Sequence, residues 1–217
     1  MKPISLGASM PIGPAVRQML GPLERPISKL YRGMFIDLNA LVRQIKEWSI
    51  ASNILEFGCG EGAVIEILDV EYPTARITGI DISPKVGRMF RGDRHRIVFK
   101  QQDIKEFAAE NPAAFDLLII NDVMHHIPWD LHVEILQNAA KALKSGGHLV
   151  LKDWNRNYSP IYFLCYFMDR YITGDLVRYK TTQEFRELLR STFGTDCIKA
   201  EAAIRPWSNN IALLVKK

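Results

Sequence analysis

Apolar positions recur at two different spacings along this 217-residue chain. Between residues 27 and 48, Leu30, Met34, Leu38, Leu41, Val42, Ile45 and Trp48 follow the spacing of one buried helical face. One or two helices are expected there, with a break near Gly33. From residue 53, short apolar runs alternate with amphipathic stretches. Strands are expected near Asn53–Phe57, Arg76–Asp81, Ile97–Gln101, Leu117–Asn121 and His148–Lys152. Helices are expected near Gly62–Tyr72, Pro84–Arg91, Ile104–Ala109 and Asp130–Leu143. Such alternation predicts a parallel sheet covered by helices on both faces. Lys144-Ser-Gly-Gly147 reads as a helix stop. An aromatic-rich segment, 154–180, then precedes a helix near Thr182–Phe193. Two last strands, near Asp196–Ala203 and Ile211–Lys216, are joined by a short turn and are expected to pair antiparallel.

Pro11, Pro14, Pro22 and Pro26 make residues 1–26 an irregular lead-in. Composition changes this picture little. A hydrophobic fraction of 47% and a charged fraction of 24% suit one soluble domain with a sizeable core. A net charge of +4 is too mild to argue for nucleic acid by itself. Cys59, Cys165 and Cys197 stand at unrelated spacings. They form neither a disulfide framework nor a zinc pattern, and fit a reducing cytoplasm. Pro3, Pro11 and Pro14 interrupt any apolar leader. The longest strongly apolar run, Ile161–Met168, is far shorter than the ~20 residues a membrane span needs.

The densest chemical signal is Ile54-Leu-Glu-Phe-Gly-Cys-Gly-Glu-Gly62, with Asp81 ending the next strand. A buried strand running into glycines lets backbone turn tightly and approach a ligand. An acid at the end of the following strand can hold two ribose hydroxyls. The spacing is G-x-G-x-G rather than the dinucleotide pattern G-x-G-x-x-G, and Glu56 precedes it. A carboxylate there is unhelpful for a pyrophosphate and suits a ligand with an ammonium group.

The segment Glu56–Gly62 resembles the first motif of the class I S-adenosylmethionine-dependent methyltransferases. Three further features fall in order: Asp81 in Gly-Ile-Asp-Ile-Ser83, Asp103 in Gln-Gln-Asp-Ile-Lys105, and the fourth strand running through Asn121-Asp122 to Val-Met-His-His-Ile-Pro128. The resemblance covers about residues 50–217. It implies a Rossmann-like three-layer αβα sandwich with a seven-stranded, mostly parallel sheet and one antiparallel strand. An arm and helical cap would occupy 1–50 and the cofactor-binding domain 51–217, with a lid insertion at about 154–180.

Roles follow from the resemblance. Gly58, Cys59, Gly60 and Gly62 would bring backbone to the methionine and ribose parts of S-adenosylmethionine. Asp81 would bind the ribose hydroxyls, with Ile82 against the adenine. Asp103 would accept from the adenine amino group, and the Ile104 N–H would donate to the ring. Asn121, through its backbone carbonyl, would hold the cofactor's amino group. Glu56 would tune that region directly or through water; alternatively it only caps its own loop. Methyl transfer asks the protein mainly for positioning and desolvation, plus a base where the acceptor must lose a proton. His126, His125 and Asp153 are the candidate bases, in that order; alternatively the histidines are structural and Asp153 caps a helix. Asp122, His125 and His126 lack an evident fourth ligand, and no metal is expected.

Tyr158, Tyr162, Phe163, Tyr166, Phe167 and Tyr171 would form an aromatic lid over a small apolar or aromatic acceptor, or else pack on the core. Tyr31 and Arg32 either serve plain surface or packing roles or close over the cofactor, with Arg32 reaching its carboxylate. Lys85, Arg88 and Arg91 share a face of the expected helix, more as a solvated face than as phosphate contacts. The expected function is methylation of a small molecule, with oxygen favoured. RNA or protein methylation, or an inactive binding subunit of the same fold, are the alternatives.

Overall fold

Period-two alternation along the strands sorts the core into two layers. A computed structural model describes residue 30 and residues 32–173 and 176–217, with the side chains of 172 and 173 left out. The expected arm 1–26 and Tyr31 lie outside the described residues. Strands β1 (Asn53–Phe57), β2 (Arg76–Asp81), β3 (Ile97–Gln101), β4 (Phe115–Asn121), β5 (Leu143–Trp154), β6 (Ile198–Ala203) and β7 (Asn210–Lys216) form one sheet, in the order β3-β2-β1-β4-β5-β7-β6. The first five run parallel, and β7 is antiparallel to both β5 and β6.

Ile54, Ile77, Leu117, Ile119, Val150 and Leu214 face helices α1 (Leu38–Trp48) and α2 (Ala63–Glu71). Leu55, Ile80, Leu118, Ile120, Leu149, Leu151 and Leu213 face α3 (Ile104–Glu110), α4 (His132–Ala142) and α6 (Thr182–Phe193). Strands β1, β2, β4, β5 and β7 therefore carry buried apolar residues on both faces, as a doubly covered sheet requires. Helix α5 (Pro160–Phe167) continues as a π-helical turn, Met168–Thr173, outside these layers.

The N-terminal break falls at 36–37, past Gly33, where Asp37 accepts from the Ala40 N–H and starts α1. Leu41, Val42 and Ile45 of α1 are fully buried against the sheet. The preceding turn, 32–35, is tied to the far end of the chain. The Trp207 indole donates to the Met34 carbonyl at 2.7 Å, and the Asn210 amide donates to the Phe35 carbonyl at 2.6 Å.

Two expectations are corrected. No helix forms over Pro84–Arg91; residues 84–89 are turns. Their N–H groups find partners in the glycine loop: Gly87 donates to Gly60 at 2.8 Å and Met89 to Glu61 at 3.1 Å. The fifth strand also begins earlier, with Leu143 paired to Phe115 before a register shift. Gly146 and Gly147 there exchange backbone hydrogen bonds with Lys217, so the supposed helix stop is strand edge. Strand order reverses between β1 and β4, which puts the ligand crevice at the carboxyl ends of β1, β2 and β4.

Candidate functional site

The loop after β1 folds back on β2. Gly58 and Cys59 donate to the Ile80 carbonyl at 2.8 and 3.1 Å. Gly58 has φ +73, and a Cβ there would stand 2.3 Å from Val123 Cγ2, so only glycine fits without displacement. Gly60 donates to Asp81 Oδ2 and Ser83 to Asp81 Oδ1, both at 2.8 Å. The carboxylate is thus fixed in orientation while each oxygen keeps acceptor capacity for a ligand hydroxyl. Gly62 opens α2 at φ +88. Cys59 is buried, and burial first, then the charges of Glu56 and Asp81, pushes its thiol far above the ordinary range. It can meet a ligand only through backbone.

Glu56 and Asn121 are the unusual pair. Glu56 is 2% exposed, and its Oε2 is buried with no hydrogen-bond partner. Glu56 pairs in register with Ile119 of β4, and Asn121 lies two residues further along the same face. The Asn121 Oδ1 is likewise buried without a partner. Burial first, then the Asp81 charge, raises the Glu56 carboxyl to about 8, while the Arg32 charge opposes the rise. Two orphaned oxygen acceptors on neighbouring strands, one an ionisable acid, suit a cationic donor such as an ammonium group. The idea that Glu56 only caps its own loop finds no support at Oε2.

Beyond β2 and β3, Ile82 is 60% exposed beside Asp81, an apolar surface for a flat ring. Asp103 caps α3, accepting from the Lys105 N–H through Oδ1 at 2.7 Å, and Ile104 is buried behind it. Capping by one oxygen leaves the other available.

After β4 the chain makes a 3₁₀ turn, Met124–His126. The β4–β5 register pairs Asn121 with Lys152 and so brings Asp153 beneath this turn. Asp153 Oδ1 lies 2.6 Å from His125 Nδ1, and Oδ2 accepts the His125 backbone N–H at 3.2 Å. Both side chains are buried. Burial pushes the His125 imidazole down, but the charge and hydrogen bond of Asp153 outweigh it, and it sits above the ordinary value. Burial pushes Asp153 up, but His125 holds it below the usual carboxylate range. His126 diverges. It is exposed by surface area yet crowded by protein, and this desolvation, then the His125 charge, holds it down to about 3.

Asp122, His125 and Asp153 place potential metal-ligand atoms within 4.8 Å of one another. Protein cations already compensate both acids: Lys152 Nζ lies 2.5 and 2.7 Å from the Asp122 oxygens, and His125 holds Asp153. Lys152 escaped the sequence reading, although a lysine ending the apolar run Leu149–Leu151 was a signal. Asn209 was missed too. Buried after the β6–β7 turn, it donates to the Asn155 carbonyl at 3.0 Å and to Asn157 Oδ1 at 2.6 Å, fixing where the lid leaves β5.

Helix α5 is apolar on nearly every side, yet Phe163, Leu164, Tyr166 and Phe167 are exposed while Tyr162 and Cys165 are buried. Of the basic residues between 85 and 96, three are engaged within the fold. Arg88 pairs with Glu61, Arg96 binds Asp69 and the Tyr72 and Ala75 carbonyls, and Arg94 lies over Phe90 and Phe99. Among the described residues no helix is long and apolar enough to cross a membrane.

The family described as "Methyltransferase domain" matches residues 15–197, so the match begins well before residue 50. A trans-aconitate 2-methyltransferase of Methylobacterium nodulans is 33% identical over 101 residues, 46% of this chain and 38% of that protein. A ubiquinone biosynthesis O-methyltransferase of Xanthomonas campestris is 31% identical over 109 residues, 48% of this chain and 44% of that protein. The match thus spans less than half the length of either relative. A Burkholderia thailandensis 1,6-didemethyltoxoflavin-N1-methyltransferase, solved with 1,6-didemethyltoxoflavin and S-adenosylhomocysteine, shares the fold at TM-score 0.64 and 16% identity, covering 99% of this chain and 93% of that one.

Proposed function

The chain belongs to the methyltransferase domain family, and we propose that it transfers a methyl group from S-adenosylmethionine to a small apolar or aromatic acceptor, oxygen being the favoured receiving atom. The observation that carries this reading is the pair of orphaned buried acceptors, Glu56 Oε2 and Asn121 Oδ1, beside the glycine loop and Asp81. An amino-acid ammonium would satisfy the first two, and ribose hydroxyls the third. Ile82 and Asp103 lie where an adenine would be flanked and bonded, and Arg32 is near enough to Glu56 for its charge to act there. The named relatives are small-molecule methyltransferases, one of them an O-methyltransferase. Three buried free thiols are in keeping with a reducing compartment such as the cytoplasm.

The cofactor supplies an electrophilic methyl group on a sulfonium that carries its own leaving group. What remains for the chain is orientation, exclusion of water and removal of a proton. His125 suits the last task better than His126. With Nδ1–H donated to Asp153, its Nε2 carries the lone pair, and the buried carboxylate stabilises the imidazolium formed. His126, held down to about 3 by desolvation and the His125 charge, is a weaker base. The exposed aromatics of α5 cover the acceptor side.

Titration calorimetry with S-adenosylhomocysteine and S-adenosylmethionine tests the reading. Binding of either is expected, and Asp81→Ala is expected to weaken it by roughly 10–100-fold as two charge-assisted contacts go. Binding of NAD with no heat from either of these ligands would overturn it. Replacing Phe163 and Phe167 together by Ala is expected to lower turnover several-fold while cofactor affinity holds. Unchanged kinetics on an acceptor found by screening hydroxyaromatics would remove the lid from the site.

A further inference from the structure

The segment after the lid helix passes directly under the histidine turn. The Arg178 N–H donates to the His125 carbonyl at 2.9 Å, and the Trp129 indole donates to the Arg178 carbonyl at 3.4 Å. Lys180 Nζ lies 3.9 Å from the Trp129 ring centroid. Between these ties Tyr179 is delivered against His125, ring centroids 4.9 Å apart and planes inclined by 29°. His126 stands 4.1 Å from His125. The His125 imidazole is thereby in contact with two rings as well as with Asp153.

Tyr179 is itself held from the lid. It is buried, its hydroxyl donates to Asp169 Oδ2, and Cys165 Sγ lies 3.5 Å from that hydroxyl. Burial, then the Asp169 charge, pushes the phenol far above its ordinary range, so it remains a donor. Cys165 belongs to α5 and Asp169 to the turn that continues it.

We propose that Tyr179 is a positioning residue for His125, acting through the face of its ring. The inference rests on His125 being the base. Stacking sets the plane of the imidazole, and hence the direction of its Nε2 lone pair, while Asp153 fixes the opposite edge. The face of the phenol also favours the imidazolium, an effect strongest away from water. The other groups facing His125 are Asp153, Asp122, Asp169 and His126.

Imidazole NMR of the full chain with S-adenosylhomocysteine bound tests this without an acceptor. His125 resonances are identified by their loss in His125→Asn. In the wild type, cross-relaxation between the His125 and Tyr179 rings and upfield His125 ring protons are expected. Tyr179→Leu should lower the His125 titration midpoint by about one unit, with cofactor affinity unchanged. Tyr179→Phe, which keeps the ring face, should restore most of that shift. A wild-type midpoint in Tyr179→Leu, or equal shifts in both variants, would overturn the role of stacking. Should Tyr179→Leu fail to fold, absence of the ring-to-ring signals in the wild type would still do so. These outcomes leave the base assignment untouched, since that is decided by turnover in His125 variants.

Discussion

Replacing His125 by Asn is expected to lower methyl transfer by about 10²–10⁴, the usual cost of losing a general base, with S-adenosylhomocysteine affinity nearly unchanged. The reason is the geometry of one buried pair. His125 Nδ1 lies 2.6 Å from Asp153 Oδ1, and that carboxylate also takes the Trp154 N–H at 2.6 Å. The base acts in its neutral form. Because the Asp153 interaction outweighs burial and raises the imidazole above its ordinary value, the rate should climb with pH through a midpoint above the ordinary histidine value of 6.5. Asp153→Asn should move that limb to lower pH and lower the plateau, since the imidazolium formed in the reaction loses its counter-charge. His126→Ala should leave the limb in place. A full-rate His125→Asn enzyme with the wild-type profile would assign catalysis to positioning alone.

Glu56→Gln is expected to act in opposite directions on stability and on binding. Burial and the Asp81 charge hold the Glu56 carboxyl at about 8 in the folded protein against an ordinary value of 4.5. Between those values the folded state keeps a proton that the unfolded chain has released. Stability therefore falls as pH rises through this window, reaches its full loss above about 8, and is unaffected below 4.5. Gln does not ionise. Relative to wild type, the variant should gain on the order of 3 kcal/mol between pH 4.5 and pH 7. Denaturant unfolding at the two pH values, without ligand, measures this directly. Binding runs the other way. An ammonium favours ionised Glu56, so wild-type affinity for S-adenosylhomocysteine should rise up to about tenfold per pH unit towards 8. The Gln variant should bind roughly 10–100-fold more weakly at pH 8, and its change in affinity with pH should lack the Glu56 contribution. A variant that binds like wild type would show that Glu56 is buried for packing alone.

Much of the nucleotide end of this site is legible in the chain because its parts are local. An apolar run followed by glycines, and an acid where the next apolar run stops, specify a strand, a tight turn and a carboxylate at a strand end within about thirty residues. Alternation fixes which strand residues face each helix layer, and so puts Glu56, Asp81 and Asn121 on one side of the sheet. Antiparallel pairing of the last two strands follows equally from the shortness of their turn. Tertiary contacts decided the rest. Residues 84–89 have helix-compatible spacing, but Gly87 and Met89 donate to the glycine loop instead of to their own preceding turn. Sequence ranked His126 ahead of its neighbour His125. Which of them meets Asp153 depends on the register of β4 against β5, a pairing across some thirty residues. That same register sets buried Lys152 against Asp122. Tyr179 lies more than fifty residues beyond His125 and reaches it only because the lid returns beneath the histidine turn. Local pattern therefore determined where a nucleoside-bearing ligand belongs. The choice of His125 as the proposed base, and the contacts that support it, rest on long-range packing, because hydrogen-bond direction and ring stacking depend on contacts that no short window of sequence contains.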